Sequence, residues 1–271
     1  MIQPADFQPW LDRWSLTPDG AAFESLAGHL MPVRQGGEPA MLKLSQSAEE
    51  LAGGALMVWW DGDGAARVLA REGEALLLER AMGTGDLAYM ARSGRDDEAC
   101  RILCAAGSVL HAPRTAAPPD TLVPLERWFH QLWPMANAQG GVMVKAAQIA
   151  RGLLDQPHEV VVLHGDLHHG NVLDFGDRGW LAIDPKGLIG DRGYDHANML
   201  CNPDVATALA PGTLARRVRV ASAVSGIAPE RLISWLLAYC GLSAAWTLAD
   251  GPGEVAQTLK IAELAAAALN L

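Results

Sequence analysis

The chain has 271 residues, half of them hydrophobic and 19% charged, with a formal net charge of −10. So apolar a composition excludes a disordered or fibrous chain and requires a sizeable core; the length allows one large domain or two modest lobes. The acidic balance argues against a nucleic-acid-binding role, because such a surface does not gather polyphosphate, and it favours cationic small molecules. Cys100, Cys104, Cys201 and Cys240 lack paired metal-ligand spacing and are too few for a disulfide scaffold. That usage fits a reducing cytoplasm, and Met1–Asp6 shows no basic segment leading into an apolar one, so no signal peptide is expected.

In chain order, the first third reads as strands and hairpins. The turn Gly36-Gly37-Glu38-Pro39 separates strands expected near residues 23–34 and 39–45. A helix follows from Ser47, where Ser47 and Glu50 have capping-box spacing and Leu51, Ala55 and Val58-Trp59 give an apolar face. After the break at Asp61-Gly62-Asp63-Gly64, strands fit 66–70 and 75–78, joined by Arg71-Glu72-Gly73-Glu74. Beyond Gly83-Thr84-Gly85 the pattern turns helical over 97–111, 122–136 and 141–154, with Cys100 and Cys104 on one buried face. A short β patch follows at 160–163, 171–175 and 180–183, and from Tyr194 the chain is helical again. The uncharged run Leu232–Ala249 touches the length of a membrane span, but Ser234, Tyr239, Gly241, Ser243 and Thr247 within it mark a buried core helix. Arg216, Arg217 and Arg219 read as a solvated helix face. The order implies a small strand-rich lobe with one helix, a joint near 81–85, and a larger helical lobe carrying a hairpin.

The chemistry concentrates in Val162-Leu163-His164-Gly165-Asp166-Leu167-His168-His169-Gly170-Asn171-Val172-Leu173. An apolar strand enters a polar loop and returns, so Asp166 and Asn171 can face a common point. Downstream, Asp184 ends the apolar Trp180–Ile183 segment and Pro185 stops further pairing. This constellation suits magnesium-dependent phosphoryl transfer. Asp166 can position a hydroxyl nucleophile and accept its proton. Asn171 and Asp184 offer the hard oxygen donors that Mg²⁺ prefers. Lys43, between Leu42 and Leu44 and one of only four lysines, can meet the nucleotide's phosphates, with Glu50 as its partner.

His164-Gly165-Asp166-x-x-x-x-Asn171 followed by Ile183-Asp184 resembles the signature of the aminoglycoside phosphotransferases, relatives of the protein kinases. The longer strings Leu163–His169 and Gly179-Trp180-Leu181-x-Ile183-Asp184-Pro185 resemble its streptomycin 6-phosphotransferase branch, the aminoglycoside/hydroxyurea resistance kinases. Glu50-Leu51, Trp59–Gly64, Leu77-Leu78-Glu79 and Leu242–Trp246 extend the similarity over roughly residues 20–265. The resemblance implies an α+β, two-lobed protein-kinase-like fold: a small antiparallel β lobe with one helix, residues 1–82, and a larger mainly helical lobe, residues 83–271. It implies ATP and Mg²⁺ as cofactors, Asp166 as base, Asn171 and Asp184 as metal ligands, and Lys43 with Glu50 as the phosphate-anchoring pair. Glu49 is a rival partner for Lys43. Leu78–Ala81 would be the hinge, with Glu79 and Ala81 meeting adenine, while His164 and Asp195 would support the catalytic loop. The implied reaction is phosphorylation of streptomycin at its 6-hydroxyl, in the cytoplasm and with no obligate protein, membrane or nucleic-acid partner. Hydroxyurea or a metabolite as acceptor, or a nucleotide-binding pseudokinase, are the alternatives.

Some residues read more plainly. No G-x-G-x-x-G occurs between residues 20 and 35, where Ala27-Gly28-His29 holds one glycine, so a phosphate-covering loop is not identified. Lys186 puts a second cation two residues after Asp184; contact with phosphate is one reading, and an exposed lysine at a turn is the preferred one. His164, His168 and His169 cluster with Asp166 in the manner of metal ligands, and Gly165-Asp166-Leu167-His168 is similar to a metallophosphoesterase fragment, but the flanking motifs of that class are missing. The tryptophans are expected in the core or at its rim. Asp250, Glu254 and Glu263 are acids that could meet a cationic substrate, Asp250 foremost.

Overall fold

Side-chain parity along short strands organises the first lobe. The computed structural model describes residues 4–25, 28–251 and 255–271. Helix α1 (Pro4–Arg13) precedes β1 (Leu16–Pro18), β2 (Phe23–Ser25), β3 (Gly28–Gln35) and β4 (Glu38–Leu44); α2 (Ala48–Trp60), β5 (Val68–Glu72) and β6 (Ala75–Glu79) follow. The strands make one antiparallel sheet in the order β1-β3-β4-β6-β5, with β2 on β3. Alternation along β4 buries Ala40, Leu42 and Leu44 on one face, in a cluster with Val33, Leu77, and Phe7 and Leu11 of α1. Met41 and Lys43 take the other face and line the cleft between the lobes. Helix α2 starts where the capping box predicts: the Ser47 hydroxyl accepts the Glu50 N–H at 3.4 Å. It stops at Asp61 in left-handed conformation.

A linker over residues 80–86 enters the second lobe. Its elements are α3 (Leu87–Arg92), α4 (Asp96–Leu110), β7 (Val123–Pro124), α5 (Leu125–Trp128), α6 (Leu132–Gln139), α7 (Gly141–Asp155), β8 (Val160–Leu163), β9 (Val172–Asp174), β10 (Trp180–Ala182), β11 (Leu188–Asp191), α8 (Asp195–Cys201), α9 (Val205–Ala208), α10 (Thr213–Ser225), α11 (Pro229–Asp250) and α12 (Val255–Ala268). β9 and β10 form a hairpin, and β11 lies between β7 and β8. The hairpin clamps the lobes together: the Ala66 N–H donates to the Ala182 carbonyl at 2.9 Å, and the Gly83 N–H to the Asp174 carbonyl at 2.9 Å.

Helix α11 carries the uncharged run and is long and apolar enough to cross a membrane, but Leu232, Trp235, Leu236, Leu237 and Cys240 on it are fully buried. It packs on α7, α8 and α12 at the centre of the helical lobe.

The structure departs from the sequence reading at several places. The helix expected over 122–136 is broken: Val123-Pro124 pairs parallel with Leu188-Ile189, and Pro124, which cannot continue a helix behind it, becomes the cap of α5. The sequence reading does not include α1, which carries Pro9 inside it, nor α3 and β11, which are too short for a clear period. The solvated arginine face is also corrected. Arg219 is exposed, but the Arg217 side chain is 1% exposed and grips Asp96 of α4 through Nε at 3.0 Å and Nη2 at 2.7 Å, while Nη1 donates to the Leu200 carbonyl at 3.0 Å.

Two predictions follow from this core. Asp96→Ala strands a buried guanidinium and should cost about 3–5 kcal/mol in urea unfolding, whereas Asp96→Leu with Arg217→Met should recover most of it; equal losses in both would contradict the pairing. Separately, burial pushes His196 down to about 4 and His169 to about 3. Their folded-state values lie below the unfolded value, so stability is complete above about pH 6.5 and falls as pH drops towards 4, by about 3 kcal/mol for His196. His196→Asn keeps a donor for the Arg192 carbonyl and should flatten that acid limb; an unchanged slope of stability against pH would count against it.

Candidate active site

Strand β8 delivers the polar loop 164–171 into the cleft, and the loop is held from beneath by Asp195 at the start of α8. The carboxylate of Asp195 accepts the His164 N–H at 2.8 Å and the Gly165 N–H at 2.7 Å, and contacts His111 Nε2 at 2.8 Å. Burial alone would raise its pKa, but the His111 hydrogen bond and these donors outweigh that and hold it below the usual carboxylate value. His164 is fully buried, and burial pushes it below the ordinary histidine value against the charges of Asp195 and Asp166. Its Nε2 lies 2.9 Å from the Ile183 carbonyl, and its Nδ1 accepts the Asp166 N–H at 3.2 Å. The ring is therefore neutral, with its proton on Nε2, and it joins the loop to the end of β10.

Asp166 is fixed by two amides. Asn198 of α8 donates to Oδ1 at 2.6 Å; Asn171 donates to Oδ2 at 3.0 Å and to the Asp166 carbonyl at 2.9 Å. With its nitrogen so used, Asn171 has its amide oxygen left as a ligand atom. Asp184 sits at φ 61°, a left-handed conformation that costs a non-glycine residue about 1–3 kcal/mol. Lys43 donates both to Asp184 Oδ1 and to Glu50 Oε2. Burial acts to raise Asp184, but Lys43 and then Lys186 outweigh it and hold the carboxyl below its ordinary value. Glu50 goes the other way: burial pushes it up, and the opposing pull of Lys43 does not fully offset this beside the charge of Asp184.

Lys186 is not the exposed turn lysine that the sequence suggests. Its side chain is 18% exposed and meets Glu49 Oε1 at 2.9 Å and Glu50 Oε1 at 3.0 Å. Burial disfavours its charge, yet the Glu49 hydrogen bond and the Glu50 charge raise its pKa above that of an ordinary lysine. Glu49 thus serves Lys186 alone, whereas Glu50 meets both Lys43 and Lys186. The close fit of α2 here requires Gly53, because a Cβ at that position would overlap the Pro185 carbonyl oxygen.

A cleft of about 1150 Å³ joins these parts. Lys43, Asp166, Asn171 and Asp184 line it, as do Glu79 and Ala81 of the proposed hinge and Trp128, Tyr239, Trp246 and Asp250 from the helical lobe. Oε1 of Glu79 accepts from Arg178 and from the Arg67 N–H, and the Glu79 N–H donates to the Arg67 carbonyl at 3.0 Å. Asp250 ends α11, at the rim; Glu263 is exposed on α12 and does not line the cleft, and Glu254 lies outside the described residues. The loop between β2 and β3 includes residues 26 and 27, also outside the described residues; Gly28, at φ 122°, abuts the Leu44 carbonyl, where a side chain would clash. The three histidines do not converge, and among the described residues no three His, Cys, Asp or Glu side chains are grouped to hold a metal.

Residues 13–251 match the profile of the aminoglycoside/hydroxyurea antibiotic resistance kinases. The chain belongs to that family. A streptomycin 3''-kinase of Klebsiella pneumoniae is 53% identical over 89% of this chain and 92% of its own. A streptomycin 6-kinase of Streptomyces glaucescens is 31% identical over 92% of this chain and 84% of its own. Among solved structures, aminoglycoside phosphotransferase APH(3'')-Id of Streptomyces rimosus, in complex with ADP and streptomycin, superposes with a TM-score of 0.60 at 20% identity, covering 90% of this chain and 98% of that one. The two-lobed kinase-like fold is thereby common to the family and to this chain.

Within this resistance-kinase fold, sequence reasoning missed Asn198 and Asp191. Asn198 stands three residues after Asp195, on the same face of α8, which is the signal that could have found it. Asp191 is buried and accepts the His158 and Gly193 N–H groups at 2.6 and 2.8 Å, and Trp235 Nε1 at 3.2 Å, so it braces β11 on α11. Asn198→Ala should release Asp166 and lower turnover about 10²-fold, measured as acceptor-dependent ADP release, with ADP affinity unchanged; turnover within threefold of wild type would remove Asn198 from the site.

Proposed function

We propose that this chain transfers the γ-phosphoryl group of ATP to streptomycin, and that the acceptor is the 3''-hydroxyl. The observation that carries the phosphotransferase reading is a single cleft in which a doubly anchored carboxylate, Asp166, shares walls with a buried lysine–carboxylate cluster. The acceptor is argued from the 53% identity with the streptomycin 3''-kinase, against 31% for the 6-kinase. On that ground the 6-hydroxyl expected from the sequence gives way to the 3''-hydroxyl.

In this reading the nucleotide lies between residues 1–82 and 83–271, with its base against the backbone of Glu79–Ala81 and its phosphates at Lys43. Asp166 accepts the acceptor's hydroxyl proton as the new O–P bond forms and the bond from the γ-phosphorus to the bridging oxygen breaks, releasing ADP. The two amide donors on Asp166 orient its remaining lone pairs and cost no reorganisation during transfer. The amide oxygen of Asn171 and the carboxylate of Asp184 are hard oxygen donors and fit Mg²⁺, which supplies charge neutralisation at the phosphates when bound. Lys43 holds Asp184 in its left-handed conformation and so keeps that donor aimed at the cleft. At the acceptor end, Trp128 and Trp246 meet edge to face at 5.3 Å and with Asp250 offer aromatic faces and an anion to a guanidinium. A reaction that draws on ATP fits a cytoplasmic setting.

Asp166→Asn should reduce acceptor-dependent ADP release at least about 10³-fold while calorimetric ADP binding stays intact; retained turnover would defeat the mechanism. The product from streptomycin should carry phosphate at the 3'' position by ³¹P–¹H NMR. A 6-phosphate would return the regiochemistry to the 6-hydroxyl, and release with hydroxyurea but not streptomycin would change the acceptor.

A further inference from the structure

Glu50 is shared between two ammonium groups that arrive from different lobes. Its Oε2 takes Lys43 from strand β4, and its Oε1 takes Lys186 from the segment that follows Asp184, at 3.0 Å. Lys186 also holds Glu49 at 2.9 Å, so three carboxylates (Glu49, Glu50 and Asp184) are met by two lysines. The base of the Lys186 side chain is fixed as well, because its N–H donates to the His164 carbonyl at 2.7 Å. It therefore has one end in the catalytic loop's support and the other on α2. A pair this enclosed differs from a surface salt bridge: it is little screened, and removing one partner leaves charge without compensation.

We infer that Lys186 is a positioning residue of the nucleotide end, tying the Asp184–Lys186 segment to α2 and keeping Glu50 turned towards Lys43. The inference rests on the proposed reading that Lys43 and Asp184 serve the phosphates. When phosphate oxygens compete for the Lys43 ammonium, Glu50 gives up part of its main contact. Lys186 still neutralises it and holds α2 against Pro185, at the close approach that Gly53 permits. Without Lys186, three carboxylates would face one ammonium, and like-charge repulsion would push α2 away from the Asp184 segment. Lys43 would then lose the geometry in which it reaches the cleft.

The test uses the full chain with Lys186→Met, Lys186→Arg and Glu49→Gln. ADP affinity is read by calorimetry, KM for ATP and for streptomycin by coupled ADP release, and folding by thermal melting. Lys186→Met should weaken ADP binding and raise KM for ATP about tenfold or more, leave KM for streptomycin within twofold, and be largely rescued in Lys186→Arg. Glu49→Gln should cost less than about threefold, because Glu50 still holds the lysine. ADP affinity and KM for ATP within twofold of wild type in Lys186→Met would overturn the inference. So would equal losses in the Met and Arg variants, or a rise in KM for streptomycin matching that for ATP. If Lys186→Met does not fold, Lys186→Arg with a tenfold weaker ADP affinity at unchanged melting temperature equally overturns it, since the charge is then retained without effect. The calorimetric arm needs no acceptor: wild-type protein that binds ADP but phosphorylates no streptomycin defeats the proposed function and leaves Lys186 to be decided by calorimetry.

Discussion

The buried ammonium of Lys43 is the contact on which the arrangement of the two lobes depends. It meets Glu50 from α2 and Asp184 from the end of the β9–β10 region, so one charge fixes a strand, a helix and a loop relative to one another. Burying these ions is costly, and their mutual attraction compensates only while the geometry is kept. The surroundings enforce that geometry. Strand pairing fixes Lys43 opposite Leu30 and Leu76, Gly53 allows α2 to approach Pro185, and Lys186 adds the second positive charge. Asp184 tolerates its left-handed backbone because its side chain is engaged there.

A second anchor, Asp195, does for the loop 164–171 what Lys43 does for the proposed nucleotide end. It binds backbone N–H groups rather than a reacting atom, so its effect is on shape: the loop's turn is held from below and Asp166 is presented upward. Asn198 comes from the same helix and finishes the task by holding one oxygen of Asp166. Both supports therefore stand on one helix, and the loop that carries Asp166, the proposed base, is held from it. The acceptor end is built otherwise, from side chains on α5 and α11 with few bonds among them. Trp128 is held by Tyr194 at 2.8 Å, whereas Asp250 ends its helix in the open. On the proposed reading, a rigid donor half beside a less tied acceptor end would let binding side chains change without disturbing the machinery.

Much of the site was legible in the chain itself. The spacing of Asp166 and Asn171 on one loop, and a lone carboxylate closing an apolar strand, point to their chemistry without any fold. Glu50 is a candidate partner for Lys43 because it lies one turn into the helix after that strand, and the family resemblance at Glu50-Leu51 favours it over Glu49. Lys186 and Arg217 were misread for a common reason: composition makes lysine and arginine surface residues by default, and only distant partners show otherwise. Those partners, Glu49 with Glu50 and Asp96, lie more than a hundred residues away. Asn198 escaped notice because its only sequence signal, the three-residue step from Asp195, counts only once that stretch is known to be a helix facing the loop.

What the sequence alone determined is therefore the class of architecture and where the candidate chemistry concentrates: a strand-rich lobe, a helical lobe, and a loop carrying Asp166 and Asn171. Hydrophobic period, turn residues and short motifs are local properties, and they survive in one dimension. Only the tertiary structure decided which charges are buried, which carboxylate each lysine meets, and which face of α8 supports Asp166. Those outcomes depend on desolvation and on contacts between distant segments. The uncharged run of α11 illustrates the division: its apolarity is written in the chain, but whether lipid or protein covers it is settled by α7, α8 and α12 packing around it.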